Sequence, residues 1–490
     1  MKKKMILNTG TSLLAQLVAV ICGFVLPRLI LEEFGSEVNG LTQSVKQFLG
    51  VITFLDLGVG QVVRSALYRP LRERDGDTLS AVMASGQSFY RRLACMLAAY
   101  TLVLTLVYPL ITAGDYGWGY TATLILAMGI SSFAQYYFGI VNEQLLHADQ
   151  RGYVIFGLQI AANIVNLLVC VILIRLGASI QVVKLVSSLV YLLRPVVLHL
   201  YVQRRYAIDR RIRPEGEPIA QKWNGIAQHV SAVVLDGTDV IVLTLCSTLA
   251  NVSVYSVYYM VITSLQQLYQ SATAGVQSAA GALWAGDDRR AQNRMFERVE
   301  PALHFVTVFL FSCAGLLIVP FVRVYTDGLT DADYIQPLFA GLLVIAYGIR
   351  CLRTPYNIWI LAAGHYKQTQ RCHIIAAAMN LILSVIAVWR WGLVGVAVGT
   401  LIAMIYQTGW MAWYNVRQLL RRPAGTVLKQ FALDALTAGL IVLTCRGFVL
   451  TEVSYLGWVL LAAKTACIAL AITVAVAFLF YRNIFLRKAG

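Results

Sequence analysis

Twelve ionisable side chains interrupt the apolar stretches of this chain, and their chemistry needs explaining first: Arg28, Lys46, Asp56, Arg64, Glu143, Arg194, Asp236, Asp239, Arg350, Arg353, Asp434 and Lys464. A charge at the centre of a bilayer costs at least about 2.5 to 3.5 kcal/mol, so each needs a partner or a wet cavity. Arg350 and Arg353 stand one helical turn apart, on a face shared with Tyr347 and Asn357, and Pro355 follows where it would kink a helix. Paired guanidinium groups match phosphate oxygens in bidentate fashion, so a diphosphate suits them better than a carboxylate. The competing use is an ion-pair lock with Asp56 or Asp236.

Three further patterns stand beside this pair. At 100° per residue, Lys46 and Arg64 fall at the same angle of a continuous helix, with Asp56 at the border of that stripe where it could meet a cation from a neighbour. Arg64 could equally snorkel to an interface. Tyr255, Tyr259, Gln266, Gln270, Thr273 and Gln277 share one helical face, a wall of amides, hydroxyls and rings that suits a hydroxyl-rich ligand or seals two helices together. His229, Asp236 and Asp239 lie close in angle, where buried carboxylates would carry a coupling proton or balance the cations. Asp434 and Arg194, near the ends of their apolar stretches, read as interfacial.

The elements that hold these residues are membrane spans. Of 490 residues, 58% are hydrophobic and 13% charged, too little polar surface to cover a soluble globule. Fourteen stretches are long enough to cross about 30 Å of hydrocarbon as helices, among them 40–68, 92–112, 223–246, 252–283, 299–323, 337–361, 372–390 and 393–416. With the first residues inside, inner segments hold 28 of the 40 Lys and Arg, and outer loops hold only Arg175, Lys184, Arg323, Arg390 and Arg446. Short loops rich in Lys and Arg stay cytoplasmic, so both ends face the cytoplasm. The net charge of +16 is thereby spread over loops facing anionic lipid, with no nucleic-acid partner indicated. The start of the chain reads as a retained first helix and not a cleaved signal peptide. Nine cysteines form no CxxC pair, so neither disulfides nor a metal site are expected. The outer loops are too short for a catalytic domain, and no Walker sequence is present, so the chain reads as a transporter and not an enzyme. No cofactor is called for beyond a proton or sodium gradient.

The chain repeats itself. Asn166-Leu167-Leu168 is echoed by Asn380-Leu381-Ile382 and Arg175-Leu176-Gly177 by Arg390-Trp391-Gly392, while Asn8 pairs with Asn224 and Leu67-Tyr68 with Leu283-Trp284, offsets of 214 to 216 positions. The expected organisation is an N-lobe over 1–202 with six spans, a cytoplasmic linker at 203–222, a C-lobe over 223–417 with six more, and an appended pair of spans with a tail at 418–490.

The opening 8–28, then Phe34-Gly35-Ser36-Glu37-Val38-Asn39-Gly40 and Phe54-Leu55-Asp56-Leu57-Gly58-Val59-Gly60, resembles the start of bacterial polysaccharide flippases of the multidrug/oligosaccharidyl-lipid/polysaccharide exporter superfamily. The resemblance extends through both six-helix lobes. It implies an all-α polytopic fold of fourteen transmembrane helices, with two pseudo-symmetric lobes around a central cationic cavity and two C-terminal helices. It also implies a lipid-linked oligosaccharide on undecaprenyl diphosphate as cargo, moved by alternating access. Membrane lipids and other polysaccharide assembly proteins are the implied partners. On this reading Arg28, Lys46, Arg64, Arg350 and Arg353 hold the diphosphate, Tyr255, Tyr259, Gln266 and Gln270 contact sugars, and Asp56, Asp236 and Asp239 couple or balance charge. A drug or cation antiporter of the same fold should have a cavity richer in acids. A peptidoglycan-precursor flippase would share the cationic cavity. A membrane glycan polymerase would want a large outer loop.

Overall fold

The structure, a computed structural model, describes residues 2–56, 58–112, 116–206, 208, 226–284, 286 and 288–486, and within its helices leaves aside the side chains of 2–6, 53–55, 226–230, 232, 233, 236, 272, 274 and 483–486. The linker proposed at 203–222 falls mostly outside these residues. Every described regular element is helical, as a lipid environment requires of a chain whose backbone groups must be satisfied within each segment. In order they are α1 (Lys2–Gly50), α2 (Val59–Glu73), α3 (Gly76–Ile111), α4 (Trp118–Ala134), α5 (Ile140–Ala148), α6 (Gly152–Arg175), α7 (Ile180–Arg205), α8 (Ile226–Cys246), α9 (Leu249–Trp284), α10 (Arg289–Tyr325), α11 (Pro337–Leu352), α12 (Thr354–Ala362), α13 (Tyr366–Tyr414), α14 (Ala424–Cys445) and α15 (Tyr455–Leu486).

Ten described helical segments are long and apolar enough to cross a membrane. Two of them are double. α1 turns at Gly35 (φ 82°) and α13 at Gly392 (φ 51°), positive-φ positions that only glycine adopts cheaply. With each divided there, and with α8 and α9 included, the elements follow the fourteen spans read from the sequence. The chain forms two compact units, residues 1–233 and 234–490, with the boundary inside α8. The repeat is visible in local structure. Gly177 and Gly392, 215 positions apart, both take positive φ at the turn between paired spans. Asp75 and Asp288 both cap a long helix, accepting from the Asp77 and Thr78 amides and from the Arg290 and Ala291 amides.

Those caps correct two boundaries. The spans expected at 92–112 and 299–323 are the apolar ends of α3 and α10, which begin 16 and 10 residues earlier because polar residues continue a helix outside lipid when its first turn is capped. A larger correction concerns the second span. It is not one helix from 40 to 68: a 3-10 turn at Val51–Asp56 and left-handed Gly58 (φ 72°) separate the end of α1 from α2. The equal angle of Lys46 and Arg64 assumed an unbroken α-helical period, and the break removes it.

Each unit has its own apolar core. In the first, Val63, Leu67, Met83, Leu97, Leu145 and Leu198 pack α2, α3, α5 and α7 together. In the second, Phe296, Tyr356, Trp359 and Met411 join α10, α12 and α13. α14 and α15, the appended pair, pack on α10.

Candidate functional site

In the second unit, one proline builds the site. Pro355 has no N–H to bond the carbonyl four residues earlier, so the tenth span breaks into α11 and α12 and the Cys351 carbonyl is released. The Tyr269 hydroxyl on α9 donates to that carbonyl at 3.1 Å. A second strap comes from α13, where the Thr408 hydroxyl donates to the Ile349 carbonyl at 3.1 Å. The first bond fixes α9 against the break and the second fixes α13 to α11; beside the break lies a cavity of about 430 Å³. Gln266, Gln270, Thr273 and Gln277 line one wall; Arg350, Arg353, Thr354 and Asn357 line the other. The arginine pair and the amide face, read separately from the sequence, thus meet in one place. The Arg350 guanidinium also lies 5.8 Å from the centre of the Tyr347 ring. Two guanidinium groups thus share the cavity with neutral amides, charge-assisted donors beside uncharged donors and acceptors.

The helical face that groups Tyr255 with Gln266 does not survive packing. Tyr255 is buried beside Phe339 and donates its hydroxyl to Asp239 Oδ2 at 2.9 Å. Tyr259, half-buried, lies between the Tyr255 and Tyr347 rings, tilted to both, with centroids 5.5 and 5.6 Å away. Neither lines the cavity. Asp239, 2% exposed, also accepts from the Thr400 hydroxyl at 2.9 Å, and Thr400 in turn accepts from Asn380 Nδ2 at 2.9 Å. Thr400 was not among the residues singled out from the sequence; Asn380 was noticed only as a marker of the repeat. Asp236 and His229 lie outside the described side chains.

In the first unit the charges are engaged one by one. Arg28 pairs with Glu32 at 2.8 Å, and Arg64 donates to Gln144 Oε1 at 2.8 Å. Asp56 accepts from the Tyr90 hydroxyl at 2.6 Å, a neutral donor in place of the cation expected for it. Arg194, expected at the interface, pairs with Glu143 inside the helix bundle at 2.6 Å. Lys46 is open, and Lys184 on α7 is near enough to repel it. Lys184 was assigned to an outer loop; it belongs to the first turns of α7. A recess of about 670 Å³ lies beside Arg91, Arg92 and Tyr137, with the Arg91 guanidinium 5.2 Å from the ring centre.

No family model matches the sequence, and no curated protein matches it significantly. Solved structures do match the fold. The lipid II flippase MurJ in an inward closed conformation superposes with a TM-score of 0.71 over 98% of this chain and 100% of that one, at 14% identity. An inward-facing multidrug resistance MATE family transporter of the MOP superfamily gives 0.61 over 80% and 94%, also at 14% identity. The MATE multidrug transporter DinF-BH gives 0.62 over 84% and 95%, at 16% identity. The chain therefore has the all-α polytopic membrane fold seen in MurJ and the MATE transporters.

Proposed function

We propose that the chain is a flippase moving an undecaprenyl-diphosphate-linked oligosaccharide from the inner to the outer leaflet by alternating access, driven by an ion gradient, for export of a surface polysaccharide. The observation that carries this reading is the cavity of the second unit, where Arg350 and Arg353 face Gln266 and Gln270. The guanidinium groups would hold the diphosphate and the amides the first sugars. Lys46 is a separate candidate anion contact in the first unit, and Arg28 and Arg64, already engaged, are weaker ones. Tyr255 and Tyr259 would act by positioning, through Asp239 and Tyr347. Asp239, ringed by Tyr255 and Thr400, is the described carboxylate best placed to take a coupling proton or sodium ion. The excess of Lys and Arg in alternate loops supports an inner-membrane protein with both ends in the cytoplasm, working beside other polysaccharide assembly proteins. No catalytic step is assigned to it.

A peptidoglycan precursor is the second reading, favoured by a superposition on MurJ that extends over nearly all of both chains. A deletion strain tests both. Loss of surface glycan with accumulation of its lipid-linked oligosaccharide supports the first reading, and accumulation of the peptidoglycan precursor replaces it with the second. Full complementation by a well-expressed Arg350→Ala, Arg353→Ala chain would remove the proposed diphosphate site.

A further inference from the structure

The first unit holds a recess that the transport reading leaves unused. It has a volume of about 670 Å³, and Ser80, Gln87, Ser88, Arg91 and Arg92 of α3 line it with Tyr137 of the π-helical turn between α4 and α5. A smaller hollow of about 240 Å³ adjoins it, sharing Gln87 and Ile208 and lined further by Asn142 of α5 and by His199 and Gln203 of α7. Gln87 stands one turn before Arg91, so the two hollows meet about one helical turn from the arginines. Among the described residues no carboxylate lines either hollow, and neither Arg91 nor Arg92, both exposed, pairs with an acid. The Arg91 guanidinium lies 5.2 Å from the centre of the Tyr137 ring, which steadies it and leaves its charge unneutralised. Asp149, the cap of α5, is taken up by Arg151 and the Tyr206 hydroxyl, both at 2.6 Å.

The smaller hollow carries a second signal. Asn142 is 1% exposed; its Nδ2 donates to the Phe138 carbonyl at 2.6 Å and lies 3.1 Å from His199 Nδ1, while its Oδ1 has no hydrogen-bond partner. A buried acceptor on the wall of a hollow calls for a donor. The third observation is depth. Arg91 stands 20 residues before the end of α3 at Ile111, about 30 Å of helix, which is the full thickness of the hydrocarbon core. The arginine pair therefore lies at the head-group level of one leaflet. Beyond it Met96, Val103 and Val107 are exposed on α3 within about 60° of Arg92, an apolar track that leads from the recess into lipid.

We propose that this recess binds the head of an anionic glycerophospholipid bearing hydroxyls, of the phosphatidylglycerol kind. The phosphate meets Arg91 and Arg92, a head-group hydroxyl donates to Asn142 Oδ1, and an acyl chain follows Met96 and Val103. An ethanolamine head suits the site less, because its ammonium finds no carboxylate on the lining. A soluble phosphate ester shares the phosphate chemistry; the apolar track and the depth of the arginines favour the lipid. The bound head bridges α3, the π turn and the end of α7, and the site does not depend on the identity of the cargo.

Native mass spectrometry of the full chain, titrated with lipids of identical acyl chains, tests this. Phosphatidylglycerol should bind saturably and at least about tenfold more tightly than phosphatidylethanolamine, and Arg91→Gln with Arg92→Gln should remove that preference. Thermal unfolding of this variant should match the wild type, since both side chains are exposed. Phosphatidylmethanol has the same charge and no free hydroxyl; the wild type should bind it at least about threefold more weakly than phosphatidylglycerol, and Asn142→Leu should bind the two alike. Should Asn142→Leu fail to fold, the wild-type comparison of these two lipids decides the point. Equal binding of the two by the wild type would overturn the proposal and leave water as the donor to Asn142. A preference for phosphatidylglycerol that survives loss of both arginines would overturn it too, as would displacement of the lipid by millimolar glycerol 3-phosphate, which would make the ligand a soluble ester.

Discussion

The two units, residues 1–233 and 234–490, place their arginines differently. In residues 1–233 Arg28, Arg64 and Arg194 each meet a separate acceptor, Glu32, Gln144 and Glu143. In residues 234–490 Arg350 and Arg353 sit together on the wall of a cavity. The fourth and tenth spans, equivalent in the repeat, show where the difference arises. The fourth absorbs an extra residue as a single π-helical turn at Gln135–Gly139 and stays continuous, whereas the tenth is broken at Arg353 by Pro355. At the π turn the Asn142 side-chain amide of the same helix donates to the Phe138 carbonyl at 2.6 Å, while the proline leaves the Cys351 carbonyl for Tyr269 of another helix to satisfy. The hairpins differ as well: Gly399, which seats one arm of α13 against Ser384, corresponds to Lys184 of the first unit, a charge close to Lys46. At these two places single residues, Pro355 and Gly399, set the local difference.

The contrast can be broken most directly at the arginines. Arg350→Ala with Arg353→Ala should lower flipping in vesicles by more than about tenfold, since hydrogen bonds between charged groups are worth about 1.5 to 3 kcal/mol each, while Arg28→Ala should change it by less than about threefold. Equal losses would mean that the two units share the cations' task. Next in size is Gly399→Ala. An added Cβ would lie 2.4 Å from Ser384 Oγ and 2.7 Å from its backbone nitrogen, so thermal unfolding should report a loss of about 1 to 3 kcal/mol. Lys184→Gly, at the equivalent place, should leave that packing intact. Tyr269→Phe should cost about 1 kcal/mol by leaving the Cys351 carbonyl without its donor, and Pro355→Ala in the same chain should restore most of it by returning an N–H to that carbonyl. If the double variant is no more stable than Tyr269→Phe alone, the strap is not what holds the break.

The smallest effect compares the caps. The Asp75 carboxyl is held below its usual value, first by the Thr78 hydroxyl and then by backbone amides. Its contribution is therefore complete above the unfolded value of about pH 4 and disappears as pH falls through the lower folded value. Amide exchange at Asp77 and Thr78 should quicken in Asp75→Ala at neutral pH and scarcely change in Asp75→Asn, which keeps a capping oxygen.

The positions of the spans, apart from the break in the second, were legible because apolar length is a local property, and the cavity wall was legible because Gln266 with Gln270, and Arg350 with Arg353, are each set by one or two turns of helix. The rest depended on distant neighbours. Nothing in the composition of 40–68 distinguishes a 3-10 turn from an α-helix; left-handed Gly58 and the hold of Tyr90 on Asp56 accompany the break. Tyr255 shares its helical angle with Gln266, yet Phe339 and Asp239 enclose it from other helices. Asp434 looked interfacial from its place near a span's end, whereas its partner His304 lies 130 positions away on α10.

The length of α3 has a practical consequence. Its 36 residues extend for about 54 Å, and the hydrocarbon core takes about 30 Å of that. One rod therefore carries its Asp75-capped start well beyond the hydrocarbon core. A spectroscopic label near that start would amplify a small tilt of the buried end, and so give a direct optical or magnetic readout of its motion.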